Sequence, residues 1–116
     1  MVEKNVMLAK AYYQAMNEKD FSAVEKYWHS DARLITPFGE RKGKDAILPA
    51  VKDFMSSFTT LVIRASFGSE HQAMLVVDLE YPLPVGILRS AVLMTFKDDL
   101  IMQSELFFDT QPFMKK

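Results

Sequence analysis

Acid–base chemistry needs a side chain that can gain or lose a proton near neutral pH, held where water is scarce. The carboxylate with the most to offer is Glu105, inside the apolar stretch Leu100 to Phe108. Read as a strand, this stretch has two registers. In one, Ile101, Gln103, Glu105 and Phe107 face inward, and a carboxyl in an apolar enclosure is suited to acid–base work. In the other, Met102, Ser104, Leu106 and Phe108 face inward and Glu105 meets solvent. The second set is more apolar, so patterning favours it. Asp31 stands just ahead of the short strand Ala32 to Thr36, where it could act as a base or order the preceding turn. Thr36 ends that strand before Pro37 and Gly39. It is a hydrogen-bonding group, not a base at neutral pH. His29 and His71 are far apart, with no carboxylate or histidine at ligand spacing, so no metal site is expected. The sequence holds no G-x-S-x-G, G-x-G-x-x-G, P-loop or H-E-x-x-H motif. Its four glycines are unclustered, so no phosphate loop and no cofactor are expected.

The elements that must position these groups follow from periodicity. Residues 3 to 18 read as a helix with Leu8, Ala9, Tyr12, Ala15 and Met16 on one stripe. A short helix is expected over residues 21 to 28, capped by Asp20 or by Ser22 in a Ser22-x-x-Glu25 box. Phe21, Val24, Tyr27 and Trp28 form its apolar side. Glu40 to Asp45 reads as a charged, solvated loop. A third helix follows, with Ile47, Val51, Phe54, Met55 and Phe58 on one face and Pro49 in its first turn. The second half reads as four strands: Thr60 to Phe67, His71 to Tyr81, Ile87 to Lys97 and Leu100 to Phe108. A tail runs from Asp109 to Lys116. Short links between strands imply an antiparallel meander. Helices first and strands later indicate an α+β fold.

Length and composition narrow the function classes. A chain of 116 residues, 49% hydrophobic with nine phenylalanines, has the means for one core and one domain over residues 1 to 116. Fourteen basic and fifteen acidic residues are interspersed, which argues against nucleic acid as a partner. No apolar run reaches the roughly 18 residues of a membrane span, and the N-terminal residues lack a signal-peptide core. No cysteine is present, which excludes disulfides and thiol chemistry and fits a cytoplasmic protein.

Tyr12 to Asn17, Tyr27-Trp28-His29-Ser30-Asp31-Ala32, Thr36-Pro37-Phe38-Gly39, Gly43-Lys-Asp-Ala-Ile47, Leu79-Glu-Tyr81 and Ser104-Glu-Leu-Phe-Phe-Asp109 together resemble the nuclear-transport-factor-2-like superfamily. SnoaL-like proteins and ketosteroid isomerase are the nearest in pattern. The resemblance implies a curved antiparallel sheet and three N-terminal helices, forming a cone-shaped barrel with an apolar pocket and commonly a dimer. In the isomerases a tyrosine of the first helix donates a hydrogen bond to the substrate oxygen. Tyr12 holds the matching place relative to Asn17 and Asp20. The carboxylate base of the isomerases is matched by Thr36. Their second, protonated aspartate, a worked case of a carboxyl kept neutral by an apolar site, is matched by Val92. Two of the three groups are therefore missing, and steroid isomerisation by that mechanism is not expected.

The resulting expectation is a small, mostly apolar ligand in the cone. Leu75, Val77, Leu79, Val92, Met94 and Phe96 would line it from the sheet. Trp28, Phe38 and Phe54 would line it from the helices and the mouth, and Tyr12 and Thr36 would supply polar contacts. If the protein is an enzyme, Glu105 or Asp31 would be the base and Tyr12 the electrophilic stabiliser of an isomerase-, cyclase- or hydratase-type proton transfer. The alternative is a non-catalytic dimerisation or partner-binding module. Val76, Ala91 and Leu93 fall on the outer sheet face, which suggests a homodimer through that face.

Overall fold

Helical periodicity ahead of strand alternation produces helices that pack across one face of one sheet. The computed structural model describes residues 2–114. In chain order the elements are α1 (Val2–Asn17), α2 (Phe21–Glu25), β1 (Trp28–Thr36), β2 (Gly39–Lys42), α3 (Lys44–Ser57), β3 (Thr60–Gly68), β4 (Gln72–Glu80), β5 (Ile87–Lys97), β6 (Leu100–Phe108) and α4 (Gln111–Met114). Met1 and the end of the expected tail, Lys115 and Lys116, lie outside the described residues. Among the described residues, no helix is long and apolar enough to cross a membrane.

The six strands form one curved, unclosed sheet in the order β2-β1-β6-β5-β4-β3. From β3 to β6 it is the expected antiparallel meander. Beyond that it departs from the expectation, because β1 joins β6 in parallel. Register shifts interrupt β1, β3 and the β5–β6 pair. Those in β3 and in the β5–β6 pair each insert one extra residue, that in β1 leaves three unmatched against β6, and together they bend the sheet, which is how six strands curl without closing.

Three local expectations are corrected and one open alternative, the cap of α2, is decided. The second helix stops at Glu25, and Trp28 instead opens β1. Asp20, not Ser22, caps α2 by accepting a hydrogen bond from the Ala23 N–H at 3.2 Å. The charged run after Thr36 is strand β2, paired antiparallel to β1 and exposed at all four residues. Pro49 lies in the second turn of α3, past the first-turn position where a missing N–H is harmless.

The core forms where the helix stripes meet the inner sheet face. Ala9, Tyr12, Ala15 and Met16 of α1 and Ile47, Val51 and Met55 of α3 are buried. They meet Leu75, Val77 and Leu79 of β4 and Leu88, Val92 and Met94 of β5, also buried. Polar ties hold α1 in place over the strands. Asn5 Nδ2 donates to the carbonyls of Ser69 and Glu70 at 3.1 and 3.0 Å. Asn17 Oδ1 accepts from the Leu61 N–H at 2.9 Å. Lys19, at the end of α1, reaches the Met55 and Phe58 carbonyls and lies 3.4 Å from the Phe58 ring centroid. Its ammonium supplies donors that the last turn of α3 lacks.

Candidate functional site

The concave face leaves a cavity of about 210 Å³ between α1, α3 and the sheet. Its floor is Tyr12, Tyr13 and Met16 of α1 with Trp28 of β1, all buried. One wall is Ala50, Val51 and Phe54 of α3; the sheet wall is Leu79, Leu88, Ser90, Ser104 and Leu106. Four aromatic residues make the rim: Phe38, Tyr81, Phe108 and Phe113. Phe113 comes from α4, and its ring centroid lies 5.4 to 6.1 Å from those of Tyr81, Phe108 and Phe38. Phe38 is 61% exposed and Phe113 37%, so this end faces solvent. The lining is overwhelmingly apolar, and none of its described side chains is an acid, a histidine, a lysine or an arginine.

Tyr12 is the most constrained polar group on the floor. The Trp28 indole N–H donates to its hydroxyl oxygen at 3.0 Å. The rings of Tyr13, Tyr27 and Trp28 surround it edge-on at centroid distances of 5.3, 5.6 and 5.9 Å. A phenol whose oxygen already accepts from an indole can only donate its own hydrogen elsewhere. Among the described residues no acceptor takes it. Burial holds the Tyr12 pKa well above the ordinary 10.0, with the neighbouring Tyr13 adding to the rise and the Trp28 hydrogen bond opposing it. Burial likewise raises Tyr13. Both are neutral donors across the physiological range.

Of the residues expected at a site, Tyr12, Trp28, Thr36, Phe38, Phe54 and Leu79 line this cavity. Thr36 is largely committed to its own turn: its hydroxyl accepts from the Phe38 N–H at 3.1 Å and donates to the Gly39 carbonyl at 3.3 Å. Leu75, Val77, Val92, Met94 and Phe96 are buried but do not line it. They share the inner face as expected, but α1 packs over β3 and β4 and fills that end of the cone. The open space remains only toward α3, β1 and the rim.

The two carboxylates expected as bases are not in the cavity. Ser104 and Leu106 both line it, so Glu105, between them, points to the opposite face. There it stands in register with Leu93 of β5 and Ile35 of β1. Neither simple register describes the whole strand. Phe96 pairs with Ile101 and Thr95 with Gln103, leaving Met102 as an extra residue. The inward phase therefore shifts by one: Ile101 is buried, then Ser104, Leu106 and Phe108 face the cavity. Asp31 is exposed, and its backbone N–H donates to His29 Nδ1 at 3.0 Å. Among the described residues, no group of three His, Asp or Glu side chains is placed to hold a metal ion.

Among the lining residues, sequence reasoning passed over Tyr13, Leu34 and Phe113, and it placed Ser90 and Ser104 on inward faces without giving either a role. For Ser90 a signal existed, since it is the one polar side chain in the inward row Leu88, Ser90, Val92, Met94, Phe96. Phe113 gave none, because a single aromatic residue in a tail carries no period.

Comparison with known proteins places this geometry. A family model described as a SnoaL-like domain matches residues 9–104. Among curated protein sequences, none matches the chain. A crystal structure of a protein from Kribbella flavida DSM 17836 superposes with a TM-score of 0.88 at 27% identity, covering 94% of this chain and 89% of that one. A second protein from the same organism, provisionally described as a ketosteroid isomerase, gives 0.83 at 17% identity over 93% and 79% of the two chains. A de novo designed protein with a curved β-sheet gives 0.84 at 14% identity over 94% and 88%. The second and third likenesses are likenesses of fold alone.

Proposed function

The chain belongs to the SnoaL-like domain family, within the nuclear-transport-factor-2-like superfamily, and from that premise we propose that it binds a small, uncharged, mostly apolar molecule in the cone. One observation carries this reading. The Tyr12 hydroxyl, held by the Trp28 N–H, has a hydrogen to donate at the floor of an apolar cavity. Small-molecule sites commonly combine apolar walls with a few fixed polar groups. The occupant therefore carries an acceptor, such as a carbonyl oxygen, at its buried end. Proton-transfer chemistry needs a base within hydrogen-bond reach of the substrate, and the described lining offers neither carboxylate nor imidazole. Binding is accordingly preferred to isomerase-type catalysis.

The assembly that goes with this reading is a homodimer through the outer sheet face. Phe67, Met74 and Leu93 lie side by side there in register, and Ala65, Val76, Ala91 and Phe107 form the next row. These are two contiguous apolar rows on a face that no helix covers among the described residues.

Calorimetric titration with para-acetylbiphenyl and para-ethylbiphenyl tests the ligand reading. The ketone should bind wild-type protein roughly five- to tenfold more tightly, the worth of one net hydrogen bond. Tyr12→Phe should remove that margin while leaving the fold intact. Failure of both probes to bind, or a margin that survives Tyr12→Phe, would overturn the proposal.

A further inference from the structure

Ser90 lies on the inner face of β5, with Val77 beside it on β4 and Phe108 on β6. It is 4% exposed and lines the cavity. Its hydroxyl is buried and has no hydrogen-bond partner among the described residues. A buried hydroxyl without a partner lowers stability, since it gives up water and receives nothing in return. Alanine would fill the same position in an apolar row without that penalty. The fold therefore gains nothing from the oxygen, which leaves the cavity's occupant as the group it can serve.

The location of Ser90 says which part of the occupant it would meet. Its β6 neighbour, Phe108, belongs to the aromatic rim. Tyr12 is bonded to Trp28, whose strand partner is Ile101 at the other end of β6. The two hydroxyls thus address opposite ends of one apolar space. We infer that Ser90 is a second ligand-recognition residue, and that the occupant is two-ended: an acceptor at the floor for Tyr12 and a hydroxyl or carbonyl toward the rim for Ser90. This inference rests on the ligand-binding reading above and specifies its ligand class. A serine hydroxyl both donates and accepts, so either rim group suits it. A fixed charge would not, since the lining holds no counter-ion for it.

The test uses two pairs of neutral probes that differ in length. They are acetophenone with para-hydroxyacetophenone, and para-acetylbiphenyl with its analogue hydroxylated at the far para position. In at least one pair the hydroxylated probe should bind wild-type protein roughly five- to tenfold more tightly than its parent. Ser90→Ala should bring the two members of that pair to equal affinity. The free Ser90→Ala protein should melt no lower than wild type, because the hydroxyl it loses has no internal partner. A hydroxyl margin that survives Ser90→Ala, or no margin at either length, overturns the inference. So does a Ser90→Ala protein that melts several degrees lower. If the parent ketones bind with no Ser90-dependent margin, this inference alone falls. If none of the four probes binds, it falls together with the ligand-binding reading.

Discussion

Tyr12 and Tyr13 are adjacent on α1 and both are buried against the same cavity. Burial raises both pKa values, so the sign of the pH effect is fixed. An unfolded tyrosine ionises near its ordinary value of 10.0, whereas the folded ones stay protonated above it. Their stabilisation is complete below that value and is lost as pH rises from there toward the folded pKa. Melting temperature should therefore hold level from neutrality to about pH 10 and decline above it. Tyr13→Phe should make the decline shallower, and a series of melts across alkaline pH checks this. A wild-type profile that stays level to high alkali would contradict the burial of these phenols. The same residues show how far sequence reaches. Tyr12 was legible because its helix stripe and its place relative to Asn17 and Asp20 agree. Glu105 was ambiguous because the inward phase of β6 turns on a single extra residue, Met102, and one unpaired residue leaves no mark on hydrophobic alternation.

At the scale of elements, Gly43 joins the β1–β2 hairpin to α3. It precedes the helix with φ 87° and ψ 142°, a conformation that residues with a Cβ rarely adopt. Its N–H donates to the Ala32 carbonyl at 2.7 Å, tying the start of α3 to β1. A Cβ added there would come no closer than 3.9 Å to the Ser30 carbonyl oxygen, so the cost of substitution is conformational, not steric. Gly43→Ala should lower stability by about 1–3 kcal/mol, read as an earlier urea midpoint at unchanged slope. An unchanged midpoint would mean that this backbone geometry is not required. The helix stripes of α1 and α3 and the strands β3 to β6 were legible because each repeats its pattern over several turns or pleats. Strand β2 was not. Gly39-Glu-Arg-Lys42 is exposed throughout, and an edge strand of charged residues looks like a loop because its only apolar requirement is met by its neighbour. The parallel union of β1 and β6 was also hidden, since alternation reports which face a residue takes and not which strand lies beside it.

For the whole molecule, the architecture alone selects no ligand, because one fold can carry many different sites. Selection has to come from what faces the cavity and from what covers the outer sheet. The apolar rows on that outer face predict a dimer, and Leu93, in the middle of one row beside Met74 and Glu105, is the residue to disturb. Leu93→Asp should halve the mass measured by sedimentation, because an unpaired carboxylate is costly to bury in an interface. Wild-type protein that sediments as a monomer would contradict the predicted assembly without touching the cavity. The cavity has its own reporter. Trp28 is the single tryptophan, and its indole N–H is bonded to the Tyr12 hydroxyl at the floor. The most direct measurement is the NMR signal of that one indole N–H during titration with para-acetylbiphenyl. Binding at the floor predicts a saturable shift of the resonance, with a midpoint that moves to roughly five- to tenfold higher probe concentration in Tyr12→Phe. A resonance that stays fixed while the probe binds elsewhere, or that shifts identically in Tyr12→Phe, would contradict it.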